Sequence, residues 1–557
     1  MRILRKVPKG LGRHEPLKHP DHPRPTTRRQ FISQGFMAGG ASVILPSIYS
    51  LLANPRIAQA QACGGANQLA CDIEAAVQAC AISAGAGMIP FICFDLSGGG
   101  NIAGSNVLVG GPNGQLDFLS VAGYSKLGLP GSFVPNSSAT GSNVNASLGL
   151  RYQSDSGHLR GILSKFTNTA AMANVTGTII PALSQNDTNT NPHNPMYGIW
   201  AAGARGALLD LIGTDSSVSG GNSMAPPNMV VVSAQPATIQ SGADTAGLVS
   251  TGQLSTLLPS SSDVTNVLES MKRISDAKLG TGAYSSSPVT AYTTPAAQTA
   301  AMTLQQCAYT KAAYTLNRYP SSSAVDPDND PTINGGIFTT AEYQSNGDFQ
   351  KTAAVMKLVI DGDAAAGTVQ LGGFDYHTGE RATGEGRDFD AGQCIGAVLQ
   401  YAAQQQKPVM IYVFSDGSLA SDGTIDSSVG GRGKGVWTAD NQNVAATYFL
   451  VYNPGGRAQT AQSSVEASLQ LGYFNADGSQ NTTATPAGNN VPNLVQMVVL
   501  NYLALHSAND LARWPNLWPI GGGGPNTVNT LGVTPQVLDP LISWQPLAGL
   551  TNGRVVG

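Results

Sequence analysis

Short, almost wholly apolar runs punctuate a chain otherwise rich in small polar residues. MIPFICF (88–94), TVQLGGF (368–374) and PVMIYVF (408–414) are too short for helices and too uniformly apolar for half-exposed strands. They are predicted to be buried strands. Each run stops beside an acid: Asp95 after the first, Asp375 after the second, and Asp416, one residue beyond Ser415, after the third. Between the last two lies DAGQCIGAVLQYAAQQQ (390–406), with Ile395, Val398, Leu399 and Ala402 at helical spacing. Strand, helix and strand in this order predict a right-handed crossover that makes the two strands parallel. Asp375, His377 and Asp416 then share the carboxyl edge of one sheet, where open α/β sheets bind their ligands. Further helices are predicted over 262–278, 301–319 and 493–507, and a further strand at ATYFLVY (446–452). The fold class is therefore α/β, a mostly parallel sheet with helices on both faces.

The stretch GGFDYHTGERATGEGRDFD (372–390) stands out because charged residues make up only 11% of the 557-residue chain, against roughly 25% in ordinary soluble proteins. Carboxylates and an imidazole converging from separate strand ends suit a hard or borderline divalent cation. Asp95, Asp375, His377 and Asp416 are the candidate metal ligands. The other charges of the stretch, Glu380, Arg381, Glu385, Arg387 and Asp388, are expected to form a solvated loop over that site.

The low charge, with 66 glycines and many neutral polar residues, fits an exported bacterial protein, and the first 62 residues sharpen this. A basic leader runs into TTRRQFIS, then into the weakly apolar GFMAGGASVILPSIYSLLA, then into AQAQA. Arg28 and Arg29 with Phe31 and Ile32 match the twin-arginine export pattern. Residues 1–62 are read as a signal peptide cleaved after Ala60 or Ala62, and the destination as the periplasm or the exterior. Its removal takes ten of 30 Lys/Arg and two of 34 Asp/Glu, leaving 20 against 32, a net charge of −12. That balance gives no footprint for nucleic acid or anionic lipid, and no second apolar run is long enough to span a bilayer. All six cysteines follow the leader, and a bridge from Cys63 to Cys71 or Cys80 is expected to staple the new N-terminus.

Five segments, LSGGGN (96–101), NPHNPMYGIW (191–200), FDYH (374–377), FSDGS (414–418) and GGRGKG (430–435), resemble in order and strand context the motifs of the alkaline phosphatase superfamily. The nearer resemblance is to its twin-arginine-exported branch, the domain-of-unknown-function 1501 family. The resemblance spans about residues 88–460, and FDYH matches most closely. It implies an alkaline-phosphatase-like domain over 63–520, a divalent metal (zinc, manganese or calcium), and descent from a phosphate or sulfate ester hydrolase. Where the family has Asp after its glycines this chain has Asn101, leaving Asp95 as the substitute. Where it has Ser before His, this chain has Pro192, with Thr188 and Thr190 the nearest hydroxyls, so that Thr190 is the displaced candidate nucleophile and His193 a candidate for binding substrate or metal. Its last Asp-His falls on Gly433 and Lys434, and no histidine occurs between 378 and 505. Lys434 is the candidate for supplying the missing positive charge. If active, the protein is a metal-dependent ester hydrolase with a reduced, single-ion site; the other reading is a non-catalytic surface protein that binds a partner.

Several segments are assigned to structure alone. AVDPDNDPTING (324–335) lacks the glycine and terminal Glu of a calcium loop and reads as a proline-punctuated turn. His158 and His506 lie on apolar helical patterns and are expected to be packed. The polar segments 130–147, 212–227, 279–298 and 475–492 read as surface insertions, and 521–557 as a glycine-rich tail. The leader yields the first prediction: replacing Arg28 and Arg29 with Lys leaves unprocessed precursor in the cytoplasm, scored by fractionation and N-terminal sequencing. Unchanged maturation excludes the twin-arginine route.

Overall fold

A central sheet of seven strands is built on the apolar runs. The computed structural model describes residues 85–135, 143–184, 191–250, 321–518 and 529–555, with Asp263, Cys307, Tyr314, Thr315, Arg318 and Tyr319. The chain divides into two units, 50–249 with 317–557, which carries the sheet, and 1–49 with 250–316, almost wholly outside the described residues. The predicted export leader, Cys63, Cys71, Cys80, Thr190 and the helices predicted over 262–278 and most of 301–319 also lie outside them.

The strands are β1 (Phe91–Leu96), β2 (Val175–Pro181), β3 (Leu209–Gly213), β4 (Ala237–Thr238), β5 (Ala364–Leu371), β6 (Val409–Ser415) and β7 (Ala446–Tyr452). They lie in the order β2-β7-β6-β1-β5-β3-β4. β1 pairs in parallel with both β5 and β6, and β3 in parallel with β5 and β4, whereas β7 runs antiparallel to β6 and β2. The predicted β5–helix–β6 unit is therefore parallel, with β1 lying between its two strands. Every residue of β1, β6 and β7 is buried, as strands covered on both faces require.

Side chains alternate along each strand and thereby sort the helices to two faces. Phe91 meets Tyr502 of the helix α5 (Val491–Ala504) edge-on at 5.7 Å. On the same face the turn before α2 (Met196–Ala201) docks through Asn194, whose Nδ2 bonds Thr368 Oγ1 at 3.0 Å. The opposite face carries α1 (Gly157–Lys165), α3 (Gly347–Ile360) and α4 (Ala382–Gln404). α1 and α4 approach so closely that a Cβ at Gly161 or Gly392 would collide with the other helix's backbone. Only glycine fits at these two contacts.

His158 and His506 are buried, as their patterns predict. Cys93 and Cys394 are free, buried thiols, while Cys307 is disulfide-bonded to a partner outside the described residues. Three expectations change. The helix predicted over 390–406 begins eight residues earlier, at Ala382, so the charged stretch is not a solvated loop: Arg381, Glu385 and Asp388 are all buried. The polar segment 212–227 is not simply a surface insertion, because Ser219 and Ser223 are buried against the sheet edge. Nor does the compact part stop near 520, since Leu531, Leu538, Ile542, Trp544 and Leu547 join the core. Trp544 Nε1 donates to Thr178 Oγ1 on β2 at 2.8 Å. Trp544→Ala should accordingly cost about 3–5 kcal/mol in urea unfolding, where a solvated tail would give no measurable change.

Candidate metal centre

Parallel strands deliver their C-terminal ends to one edge, and three of the candidate acids arrive there by that route. β5 ends at Leu371 and the chain turns through Gly372 and Gly373 into Asp375 and His377. A Cβ at Gly373, where φ is 84°, would lie 2.9 Å from Arg387 Nε, so the turn needs glycine for both conformation and room. Asp416 follows the last residue of β6, and Asp95 lies within β1, in register with Phe414.

The structure sorts these acids into two groups. Asp95 and Asp416 are fully buried. Ser223 gives Asp95 both its N–H, to Oδ2 at 2.7 Å, and its hydroxyl, to Oδ1 at 2.8 Å. Asp416 accepts from Gly98 N at 2.9 Å on Oδ1 and from Asn222 Nδ2 at 3.0 Å on Oδ2. Burial, and then the charge of Asp416, push the Asp95 carboxyl up to about 7 despite the bonds from Ser223. Asp375 and His377 stand apart, more than half and about a third exposed. The residue between the groups is Gly98, which holds Asp416 through its N–H and is so close to Asp375 that its own Cβ would lie 3.0 Å from that side chain's Cβ.

The partner that Asp375 and His377 do acquire is Asp440. His377 Nδ1 lies 2.6 Å from Asp375 Oδ1 and 3.3 Å from Asp440 Oδ1, and one donor atom of each of the three falls within 4.8 Å of the others. Two backbone ladders fix the arrangement. Gly379 N donates to Trp437 O at 2.9 Å and Trp437 N to Glu380 O at 3.1 Å, while Asp440 is paired with Leu419. Two carboxylates and an imidazole form a three-ligand set of mixed oxygen and nitrogen character, suited to zinc or manganese and leaving coordination positions open. Asp440 escapes a search for acids at strand ends because it precedes a strand, β7. That strand is antiparallel, so its beginning lies at the edge where its neighbours finish.

His193 packs against the end of β6. It is 1% exposed, its ring is stacked on Phe414 at 6.0 Å with a 10° tilt, and neither ring nitrogen has a hydrogen-bond partner. Burial pushes its pKa down to about 3, so the ring is neutral. Lys434 is not an available charge. Its ammonium is completely buried, 2.8 Å from Glu385 Oε1 and 2.7 Å from the Asp155 carbonyl oxygen. Glu385 also takes Arg381 Nη2 at 2.7 Å and Arg160 Nη2 at 2.6 Å, and Arg381 stacks on Trp437 at 4.5 Å. Next to this knot, Asp388 accepts from Asn106 Nδ2 at 2.7 Å and Tyr376 Oη at 3.0 Å. Its Oδ1 lies 3.8 Å from His158 Nε2.

Comparison with family models, with curated proteins and with solved structures gives no match to this chain. Among the described residues no helix is long and apolar enough to cross a membrane.

The ion knot generates a prediction with two opposed pH limbs. Burial alone would raise the Glu385 carboxyl, but Arg381 and then Lys434 outweigh it and bring it from 4.5 to about 2. A depressed carboxyl contributes stability that is complete above 4.5 and lost as pH falls toward 2. Burial raises the Asp388 carboxyl from 3.8 to about 7 against the bond from Asn106. Its contribution is complete below 3.8 and lost as pH rises toward 7. In urea titrations across pH, Glu385→Gln should flatten the acid limb and cost about 3–5 kcal/mol at neutral pH, because it leaves buried cations without their carboxylate. Asp388→Asn should flatten the other limb.

Proposed function

We propose that this chain is an exported protein of alkaline-phosphatase type that holds one divalent cation at Asp375, His377 and Asp440. The observation that carries the reading is the convergence of these three donors within 4.8 Å of one another, at the ligand-binding edge of a mostly parallel sheet. The likeness to phosphate and sulfate ester hydrolases is supported by the order of the motifs and by acids on β1 and just past β5 and β6. Zinc and manganese are preferred to calcium because one of the three donors is an imidazole nitrogen.

A single ion polarises one ester oxygen but does not neutralise both the attacking and the leaving oxygen, so hydrolysis by this site is expected to be weak. The commitment of Lys434 to Glu385 and Asp155 favours a second reading, in which the site binds without turning over, because this ammonium does not stand in for a second ion. Aryl phosphate and aryl sulfate assays of the mature protein separate the two.

Calorimetry and elemental analysis of the mature chain should find one zinc or manganese ion. Asp375→Ala with His377→Ala should abolish binding without lowering the unfolding midpoint, and Asp440→Ala should weaken it by about tenfold or more. Affinity should fall on acidification, because a protonated imidazole cannot ligate. Absence of any divalent ion in the wild type overturns the metal reading in favour of partner binding. Rapid metal-dependent ester turnover overturns the single-ion assignment.

A further inference from the structure

Asp375 and His377 are separated by one residue, and that residue points the other way. Phe374 and Tyr376 are each 1% exposed, whereas Asp375 is more than half and His377 about a third exposed. This alternation is that of an extended chain, whose neighbouring side chains leave on opposite sides. Whatever holds the side chain of Tyr376 inward therefore sets the direction in which Asp375 and His377 leave outward. Backbone bonds pin the chain around this stretch, Phe374 N to Ser97 O at 3.1 Å and Gly379 N to Trp437 O at 2.9 Å. Both lie outside the pair of ligands.

The Tyr376 hydroxyl is held from two directions. It accepts from Asn101 N at 3.1 Å and donates to Asp388 Oδ1 at 3.0 Å, which uses its one proton and a lone pair. The acceptor is itself fixed. Asn106 Nδ2 donates both to Asp388 Oδ2 and to Asn101 O, each at 2.7 Å, and so closes a ring of hydrogen bonds through Asn101, Tyr376, Asp388 and Asn106. Asn106 Oδ1 takes Ser156 Oγ at 2.9 Å and His158 N at 3.0 Å, which ties the ring to the start of α1. The phenol lies against α4, where a Cβ at Gly384 would come 2.7 Å from Tyr376 Cε2.

Tyr448 supplies the comparison with a tyrosine that only packs. It is buried too, and its Oη lies 3.1 Å from Nδ1 of His158, whose Nε2 faces Asp388. It stands within β7, however, and its neighbours Thr447 and Phe449 are not among the three converging donors.

We propose that Tyr376 and Asp388 are positioning residues for the cation at Asp375, His377 and Asp440: the bond from the hydroxyl to the immobilised carboxylate holds the turn so that two donors already face the third. The inference rests on the preceding reading that these three residues hold a divalent ion. A turn ordered in advance spares the ion the cost of ordering it, and partners one shell out from a metal are typically worth about tenfold to a hundredfold in its affinity.

Manganese(II) titrations compare the wild-type chain with Tyr376→Phe and Tyr448→Phe. Each variant deletes one buried hydroxyl and should lower the urea midpoint. Only Tyr376→Phe should also weaken manganese binding, by about tenfold. Asp388→Ala should weaken it by a similar factor and add little to Tyr376→Phe, because both changes break the same bond. Unchanged manganese affinity in Tyr376→Phe, or an equal loss in Tyr448→Phe, overturns the proposal, and fully additive losses overturn the pairing with Asp388. A wild type that takes up no manganese overturns the preceding reading instead, and the tether is then judged without the ion. Amide exchange of the peptide covering 374–379 should accelerate severalfold in Tyr376→Phe while β5 and β6 keep their protection. Unaltered exchange of that peptide overturns the tether itself.

Discussion

Two carboxylates held out of water side by side, Asp95 and Asp416, set the terms for everything at the carboxyl edge. Removing an ionised carboxylate from water without a compensating partner is prohibitive, and these two also repel one another. The consequences run outward from the pair. Asp95 keeps its proton toward neutrality, the loop after β3 is drawn in from the surface to supply donors, and the turn after β1 is glycine where its N–H must face Asp416. Even the separation of Asp375 from Asp416 follows, because the same glycine fills the space between them.

Some distance away the same problem has the opposite answer. Glu385 is buried too, but Arg381, Arg160 and Lys434 converge on it, and its carboxyl is driven down rather than up. An ion knot of this kind is rigid and self-contained, and breaking it leaves charges stranded. The acid pair takes neutral donors from Gly98, Asn222 and Ser223, and its Asp95 carboxyl is driven up where that of Glu385 is driven down. Lys434, a candidate for chemistry by its place in a glycine-rich motif, belongs to the knot.

The strands of the sheet core are legible in the sequence because runs such as PVMIYVF are buried on both faces and need no knowledge of their neighbours. The parallel relation of β5 and β6 is legible too, since a helix between two strands admits little else. Legibility fails where a residue's state depends on partners remote along the chain. Arg381 and Glu385 look solvated until Ser105, Asp155 and Lys434 are brought round them. Residues 219–223 have the composition of a surface loop, and only the acids beneath them explain their burial. Asp440 could not be placed without the direction of β7, which no periodicity reports. The sequence puts Asp95, Asp375, His377 and Asp416 at one site; that Asp375 with His377 stands apart from Asp95 with Asp416 is visible only in the structure.

Burial of Cys93 and Cys394 bears on how the disulfide of Cys307 forms. Desolvation holds both thiols protonated, that of Cys394 up to about 12, and the thiolate is the species that attacks a disulfide. Once the sheet has formed, these two sulfurs are kinetically silent, while in an unfolded chain they would compete with Cys307 for its partner. The order of events therefore decides the pairing: a core that closes first leaves the oxidant fewer sulfurs to choose among, and packing does the work of a proofreading step.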